Sequence, residues 1–305
     1  MESQPTRGLL ESIPLGVGTW AWGDTLFWEY GKSHTEATVR EAFTACLESG
    51  IRLFDTAETY GWGKSERLLG QFIRESGQQG VVATKFMPFP WRLRSSALLK
   101  ALKKSLERLG LPQVDLYQIH WPFPLRATGW AAALADAIEA GLAREVGVSN
   151  YNLSQTRRAF EILAKHGIHL ASNQVEYSLI KRNIERNGLL DLCRELNIRV
   201  IAYSPLGQGL LSGRYTPENP PSDRIRSLRY RTQLVKIQPL IRLMREIGEA
   251  HGGKTPAQVA LNWTICKGTL PIPGAKNANQ ARQNAGAVGW SLTTDEVARL
   301  DELAL

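Results

Sequence analysis

Cysteine is scarce in this 305-residue chain: Cys46, Cys193 and Cys266 stand far apart, with no C-x-x-C pair among them. Such spacing offers neither a disulfide framework nor a metal-binding knot, so no metal is expected and a reducing, cytoplasmic setting is. The first residues, MESQPTRGLLES, lack the apolar core of a secretory signal. No apolar run approaches the ~20 residues that cross a bilayer, so no membrane partner is expected. A low-complexity linker is also missing, which favours one domain over residues 1–305. The first strand-like run has no G-x-G-x-x-G after it: Gly16, Val17 and Gly18 lead into Trp20 instead. This argues against a doubly wound dinucleotide-binding sheet. The net charge of +8 is not accompanied by any nucleic-acid-binding motif. Solubility, and a field that attracts a phosphorylated cofactor, are its expected uses.

What the chain does have is alternation. Short apolar runs at 51–54, 81–84, 114–119, 143–148, 170–173, 198–202 and 269–272 follow a first run within Ile13–Trp22. Segments with helical spacing lie between them. The stripe Leu98, Leu102, Leu106 and Leu109, stopped by Gly110 and Pro112, is the plainest. From Asp55 to Tyr203 polar residues recur at the run ends every ~30 residues, the unit length of a (β/α)8 barrel. The expected fold class is therefore an α/β TIM barrel with its site at the C-terminal mouth. A long loop at 206–230, rich in Gly, Pro and Arg, interrupts the seventh unit. It is expected to cover that mouth, with Arg224, Arg226, Arg229 and Arg231 available to phosphate.

Three successive run ends carry chemistry: Asp55 with Tyr60 just beyond, then Lys85, then His120. Singly, each has an ordinary reading as a cap, a surface phenol, a solvated charge or a packed imidazole. Together they form one device. An ammonium beside a phenol favours the phenolate and lowers the phenol's pKa. A carboxylate holds the ammonium by a charge-assisted hydrogen bond. The imidazole hydrogen-bonds the oxygen that gains charge. Such a set polarises and protonates a carbonyl but has no hydride to give, so a cofactor must bring one. Trp20, Trp22 and Trp28 after the first run, with Trp91 and Trp121, are candidate walls for a substrate; Trp22, Trp91 and Trp121 are the principal ones.

These residues stand in longer motifs: DTAETYGWGKSE at 55–66, TK at 84–85, VDLYQIHWP at 114–122, GVSNY at 147–151, NQVEYS at 173–178, AYSPLGQGLLSG at 202–213 and IPGAKNANQARQNAGA at 272–287. Over nearly its whole length the chain resembles the aldo-keto reductases, with an ending like that of bacterial and plastid members. The resemblance implies a (β/α)8 barrel and NADPH-dependent reduction of aldehydes or ketones. It matches Asp55, Tyr60, Lys85 and His120 to the catalytic tetrad, with Tyr60 the general acid. Ser149, Asn150 and Gln174 match the residues that bond the nicotinamide carboxamide, and Tyr203 the ring that stacks on it. Ser204, Leu206, Gly207 and Gly209 match the pyrophosphate loop. Gly274, Ala275, Lys276, Gln280, Gln283 and Asn284 match the segment holding the adenosine 2′-phosphate and adenine. Many relatives have lysine at the position of Gly274 and arginine at that of Gln280. Lys276 and the basic loop around Arg214 and Arg224 carry charge for that task here.

The expected partner is a small-molecule carbonyl substrate, with no nucleic acid and a monomer or weak oligomer in solution. Two other readings share the scaffold. One is a regulatory protein that binds NADPH and turns over slowly. The other is a narrow pyridoxal or sugar-aldehyde reductase, for which the tryptophans are suited.

Overall fold

A computed structural model describes residues 8–123, 129–221 and 224–304, without the side chains of 224–229. The phosphate role expected for Arg224, Arg226 and Arg229 lies outside the described side chains. In chain order the elements are β1 (Gly16–Gly18), α1 (Glu36–Glu48), β2 (Leu53–Asp55), α2 (Lys64–Ser76), β3 (Val81–Phe86), α3 (Ser96–Leu109), β4 (Val114–Ile119), α4 (Gly129–Glu139), β5 (Ala143–Ser149), α5 (Leu153–Ala164), β6 (Leu170–Glu176), α6 (Asn183–Arg186), α7 (Leu189–Glu195), β7 (Arg199–Tyr203), α8 (Arg224–Lys236), α9 (Gln238–Ala250), α10 (Pro256–Cys266), β8 (Leu270–Pro271), α11 (Ala278–Ala285) and α12 (Thr294–Leu303).

The eight strands pair in chain order, each parallel to the next. A parallel bridge between Gly18 and Gly274, with Gly18 N–H donating to Pro273 O at 3.1 Å, brings β8 back to β1. The architecture is the expected (β/α)8 barrel. Two apolar layers hold it. Leu53, Ala83, Leu116, Ile201 and Leu270 fill the interior, with Leu10 packed against them. A larger layer joins the outer strand faces to the helices.

Strand side chains alternate between these layers with a period of two. Following Ala83 by two residues therefore puts Lys85 inside the barrel. Following Leu116 by two puts Gln118 inside, one step below His120. Gly147 makes room there: a Cβ on it would lie 2.2 Å from Ser172 Oγ and 3.2 Å from Gln118 Cγ.

Boundaries differ from the sequence expectation in instructive places. Lys85 and Gln174 lie within their strands, because β3 and β6 run further than their apolar cores. The expected loop at 206–230 is partly regular. Residues 207–212 form 3-10 turns kinked at Gln208 and Gly209, and α8 begins at Arg224. The arginines hide α8 in the sequence, but Tyr230 and Leu234 are buried at helical spacing and, with Ile237 just beyond its end, anchor it. The capping box at the tail is present, with Glu296 N–H donating to Thr293 Oγ1 at 3.2 Å and Thr293 N–H to Glu296 Oε2 at 2.8 Å. Among the described residues no helix is long and apolar enough to cross a membrane.

Candidate active site

Lys85 is the hub of the mouth. It is fully buried, and its Nζ donates to Asp55 Oδ2 at 2.5 Å, to Thr56 O at 2.8 Å and to Tyr60 Oη at 3.1 Å. An ammonium has three N–H donors, and these three acceptors use them all. Desolvation presses the Lys85 pKa down, but Asp55 and Tyr60 outweigh it and hold the pKa above its ordinary value, so the group stays charged. The other Asp55 oxygen accepts from Gln174 Nε2 at 2.7 Å and Gln118 Nε2 at 3.3 Å. The buried carboxylate is thus fully partnered, as a charge out of water must be.

Tyr60 sits at the start of a 3-10 turn over Tyr60–Gly63. The turn is possible because Gly61, at φ 54°, approaches the loop after β1: a Cβ there would stand 2.5 Å from Gly23 O. Burial raises the Tyr60 pKa, Lys85 opposes the rise, and Asp55 adds to it. The expected depression by Lys85 is real in direction but loses to desolvation, so the phenol is protonated near neutrality. His120 lies with its ring centroid 5.7 Å from that of Tyr60, edge to face. Burial and the positive charge of Lys85 push its pKa down to about 3. Its imidazole is therefore neutral. Thr59 Oγ1 lies 3.5 Å from Nδ1, at the long limit of a hydrogen bond.

The expected substrate walls divide three ways. Trp121 is half-exposed and lines, with Met87, Pro122 and Phe123, an open cleft of about 320 Å³. Trp91 is 72% exposed and stacks on Phe89, at 4.6 Å between centroids. Trp22 does not face the mouth. It is buried against Phe54 and Phe72, its indole N–H donating to Ala275 O at 2.7 Å. A large ring with one donor suits a core position that supplies one carbonyl. Trp20, two residues earlier, is the one that reaches the site: its ring lies 6.1 Å from that of Tyr60.

On the far side of the mouth, Ser149 Oγ donates to Gln174 O at 2.8 Å, and Asn150 Nδ2 to His120 O at 3.1 Å. Tyr203 Oη donates to Asn150 Oδ1 at 2.9 Å, leaving its ring half-buried at the end of β7. Lys276 lies with Nζ 4.6 Å from the Trp28 ring centroid. Its backbone N–H donates to Gln280 Oε1 at 2.8 Å, and Asn284 Nδ2 donates to Gly274 O at 3.2 Å. Ala275 is buried, whereas Gly274 and Gln283 are exposed. Asn277 caps α11, whose first turn has no acidic residue. The backbone is left-handed at Asn150 (φ 62°), Ser204 (φ 51°), Gly207 (φ 55°), Gln208 (φ 55°) and Gly209 (φ 97°). Non-glycine residues held there cost energy and gather at ligand clamps. Leu206 accepts from Gly209 N–H and Leu211 N–H through its carbonyl, shaping the same turn. Neutral donors, a half-buried ring, a lysine and an uncharged helix start suit an extended anion carrying a flat ring.

Sequence reasoning missed Gln118, Thr59 and the pair Glu58 and Arg92. Gln118 alone had a visible signal, a lone amide in an apolar strand two residues before His120.

A sequence profile of the Aldo/keto reductase family matches residues 14–305. Chloroplastic pyridoxal reductase of Arabidopsis thaliana is 44% identical over 97% of this chain and 84% of its own length. Among solved structures, a glycerol dehydrogenase from Gluconobacter oxydans superposes with a TM-score of 0.82 at 28% identity, covering 95% of this chain and 90% of that one. An aldo/keto reductase from Klebsiella pneumoniae, solved with NADP and acetate, gives 0.75 at 31% identity, covering 95% and 91%. The chain belongs to the aldo/keto reductase family.

Proposed function

We propose that this protein reduces aldehydes or ketones to alcohols with NADPH, with Tyr60 as the general acid. The observation that carries the reading is the Lys85 ammonium, bonded to both Asp55 and Tyr60 beside a neutral His120. NADPH, when bound, supplies the hydride. As charge grows on the carbonyl oxygen, the protonated Tyr60 hydroxyl gives it a proton. The phenolate left behind lies 3.1 Å from the Lys85 ammonium, which stabilises it, and Asp55 keeps that ammonium charged. His120, being neutral, retains an N–H to donate to the same oxygen and fixes its direction.

Ser149, Asn150, Gln174 and Tyr203 are the residues we assign to the nicotinamide end. Ser204, Leu206, Gly207 and Gly209 would hold the pyrophosphate. Gly274, Ala275, Lys276, Gln280, Gln283 and Asn284 would hold the adenosine phosphate. The bent backbone and donor set described above support this, as does the NADP complex of the Klebsiella relative. Aromatic aldehydes such as pyridoxal are the substrates we favour within the class. The aromatic rim and the 44% identity to a pyridoxal reductase support them. The three unpaired cysteines, Cys46 and Cys193 buried and Cys266 exposed, accord with the reducing cytoplasmic setting we propose.

The test is NADPH oxidation against pyridoxal, 4-nitrobenzaldehyde and methylglyoxal, with Tyr60→Phe alongside. Turnover that falls at least ~10²-fold in kcat in the variant is expected, the scale of a lost general acid. Equal turnover by the two proteins would refute the role given to Tyr60.

A further inference from the structure

Glu58 and Arg92 take no part in the chemistry above, yet they join the segments that carry it. Glu58 stands two residues before Tyr60, and its Oε1 accepts the backbone N–H of Met87 at 2.7 Å. Met87 in turn stands two residues after Lys85 and lines the cleft beside Trp121. Arg92, on the loop between β3 and α3, closes a fork on the same carboxylate. Its Nη1 lies 2.5 Å from Oε1 and its Nη2 2.9 Å from Oε2. Nη1 also donates to Met87 O at 2.8 Å. One ion pair therefore holds both backbone polar groups of Met87.

The same guanidinium lies over two rings, 4.9 Å from the centroid of Phe86 and 5.2 Å from that of Phe89. Phe89 stacks on the exposed Trp91. The stretch from Met87 to Ser95 has no helix or strand of its own, so its shape depends on contacts like these. The pair is not a solvated one: Glu58 is 9% exposed and Arg92 21%. A bidentate fork in that setting fixes direction as well as distance. A lysine keeps the charge but has neither the fork nor the flat face for stacking.

We infer that the Glu58–Arg92 pair is a specificity-determining positioning device, setting the wall formed by Met87 and the Phe89–Trp91 stack against the ring of an aromatic carbonyl substrate. The inference rests on the reductase reading. A small carbonyl needs only the groups around Lys85 and does not reach this wall. An aromatic carbonyl gains its extra binding from it. Loosening the wall therefore changes the choice between the two.

The experiment compares wild type, Arg92→Leu and Arg92→Lys in NADPH-dependent turnover of 4-nitrobenzaldehyde and of propanal. The NADPH Kd and the melting temperature of each protein are measured in parallel. The expected result is a fall of about tenfold or more in the ratio of the two kcat/KM values, within the range a misfitted apolar contact produces. It arises mainly in KM for the aromatic substrate, with the NADPH Kd unmoved. Arg92→Lys keeps the cation, so it carries the test if Arg92→Leu fails to fold. A merely structural role would lower both substrates together, and a ratio equal to wild type in a folded variant overturns the inference. Wild-type protein that reduces neither aldehyde overturns the reductase reading and this inference with it.

Discussion

In the β1 to β4 half of the mouth, the strand ends bury charge and the loops expose rings. In the β5 to β8 half, the strand ends carry neutral amides and hydroxyls. The first half contains Asp55 and Lys85, at 2% and 0% exposure, and His120. Among the described residues, every exposed tryptophan and phenylalanine also lies on its loops: Trp20, Phe27, Trp62, Trp91 and Trp121. The second half contains Ser149, Asn150, Gln174 and Tyr203, with left-handed backbone at Asn150, Ser204 and Gln208, as the first half has at Glu29 and Trp62. On the function proposed above, the difference is a division of labour. Proton transfer needs charges shielded from water, where their fields are strong. Holding a long polar ligand needs many weak donors in fixed directions. Hydrogen bonds tie the halves together, among them Gln174 to Asp55, Asn150 to the His120 carbonyl and Trp22 to the Ala275 carbonyl.

The largest way to break the first half is Lys85→Met. It leaves the Asp55 carboxylate buried without its cation, and about 3–5 kcal/mol of folding stability should be lost, the cost of stripping one partner from a buried pair. Urea unfolding measures it, and a loss below 1 kcal/mol would mean that Gln118 and Gln174 suffice for Asp55. Next in size is Tyr60→Phe, with its ~10²-fold loss in kcat, or about 2.7 kcal/mol. Tyr203→Ala probes the second half. The Kd for NADPH should rise about tenfold, the scale of one aromatic stacking contact. An unchanged Kd in a fluorescence titration would remove Tyr203 from the cofactor site.

The smallest effects are in pH. Burial raises the Tyr60 pKa above 10.0, and reduction needs the protonated phenol. The kcat for reduction should therefore stay level through neutrality and fall only at strongly alkaline pH. A falling limb between about pH 6 and 8 would contradict this, as would any imidazole limb there. His120 also has a folding signature. Its pKa is about 3 folded against 6.5 ordinarily, so the unfolded chain binds the extra proton as pH drops. Stability is lost as pH falls from 6.5 toward 3. Melting temperatures of wild type and His120→Gln across that window should converge as acid is added; parallel curves would show that His120 titrates alike in the folded and unfolded chain.

Much of this was legible in the sequence because strands obey a period of two. Once 81–84 and 114–119 read as strands, Lys85 and His120 fall at their mouth ends. The same rule fails on loops. Nothing periodic separates Trp20, which reaches Tyr60, from Trp22, which is buried behind it. Residues 206–230 read as loop because the arginines of α8 mask the apolar spacing of Tyr230, Leu234 and Ile237. The short α6 has too few residues to show a period. The Glu58–Arg92 fork joins loops 34 residues apart, a proximity that only the folded barrel creates.

The most direct test of the divided mouth is a crossed measurement on Tyr60→Phe and Tyr203→Ala: NADPH Kd by fluorescence titration, and single-turnover oxidation of bound NADPH by 4-nitrobenzaldehyde. Tyr60→Phe should bind NADPH with wild-type affinity and pass through the chemical step at least ~10²-fold more slowly. Tyr203→Ala should bind NADPH about tenfold more weakly, with a smaller change in the step at saturation. Equal losses of binding and chemistry in both variants would contradict the division and mean that the two halves act as one site.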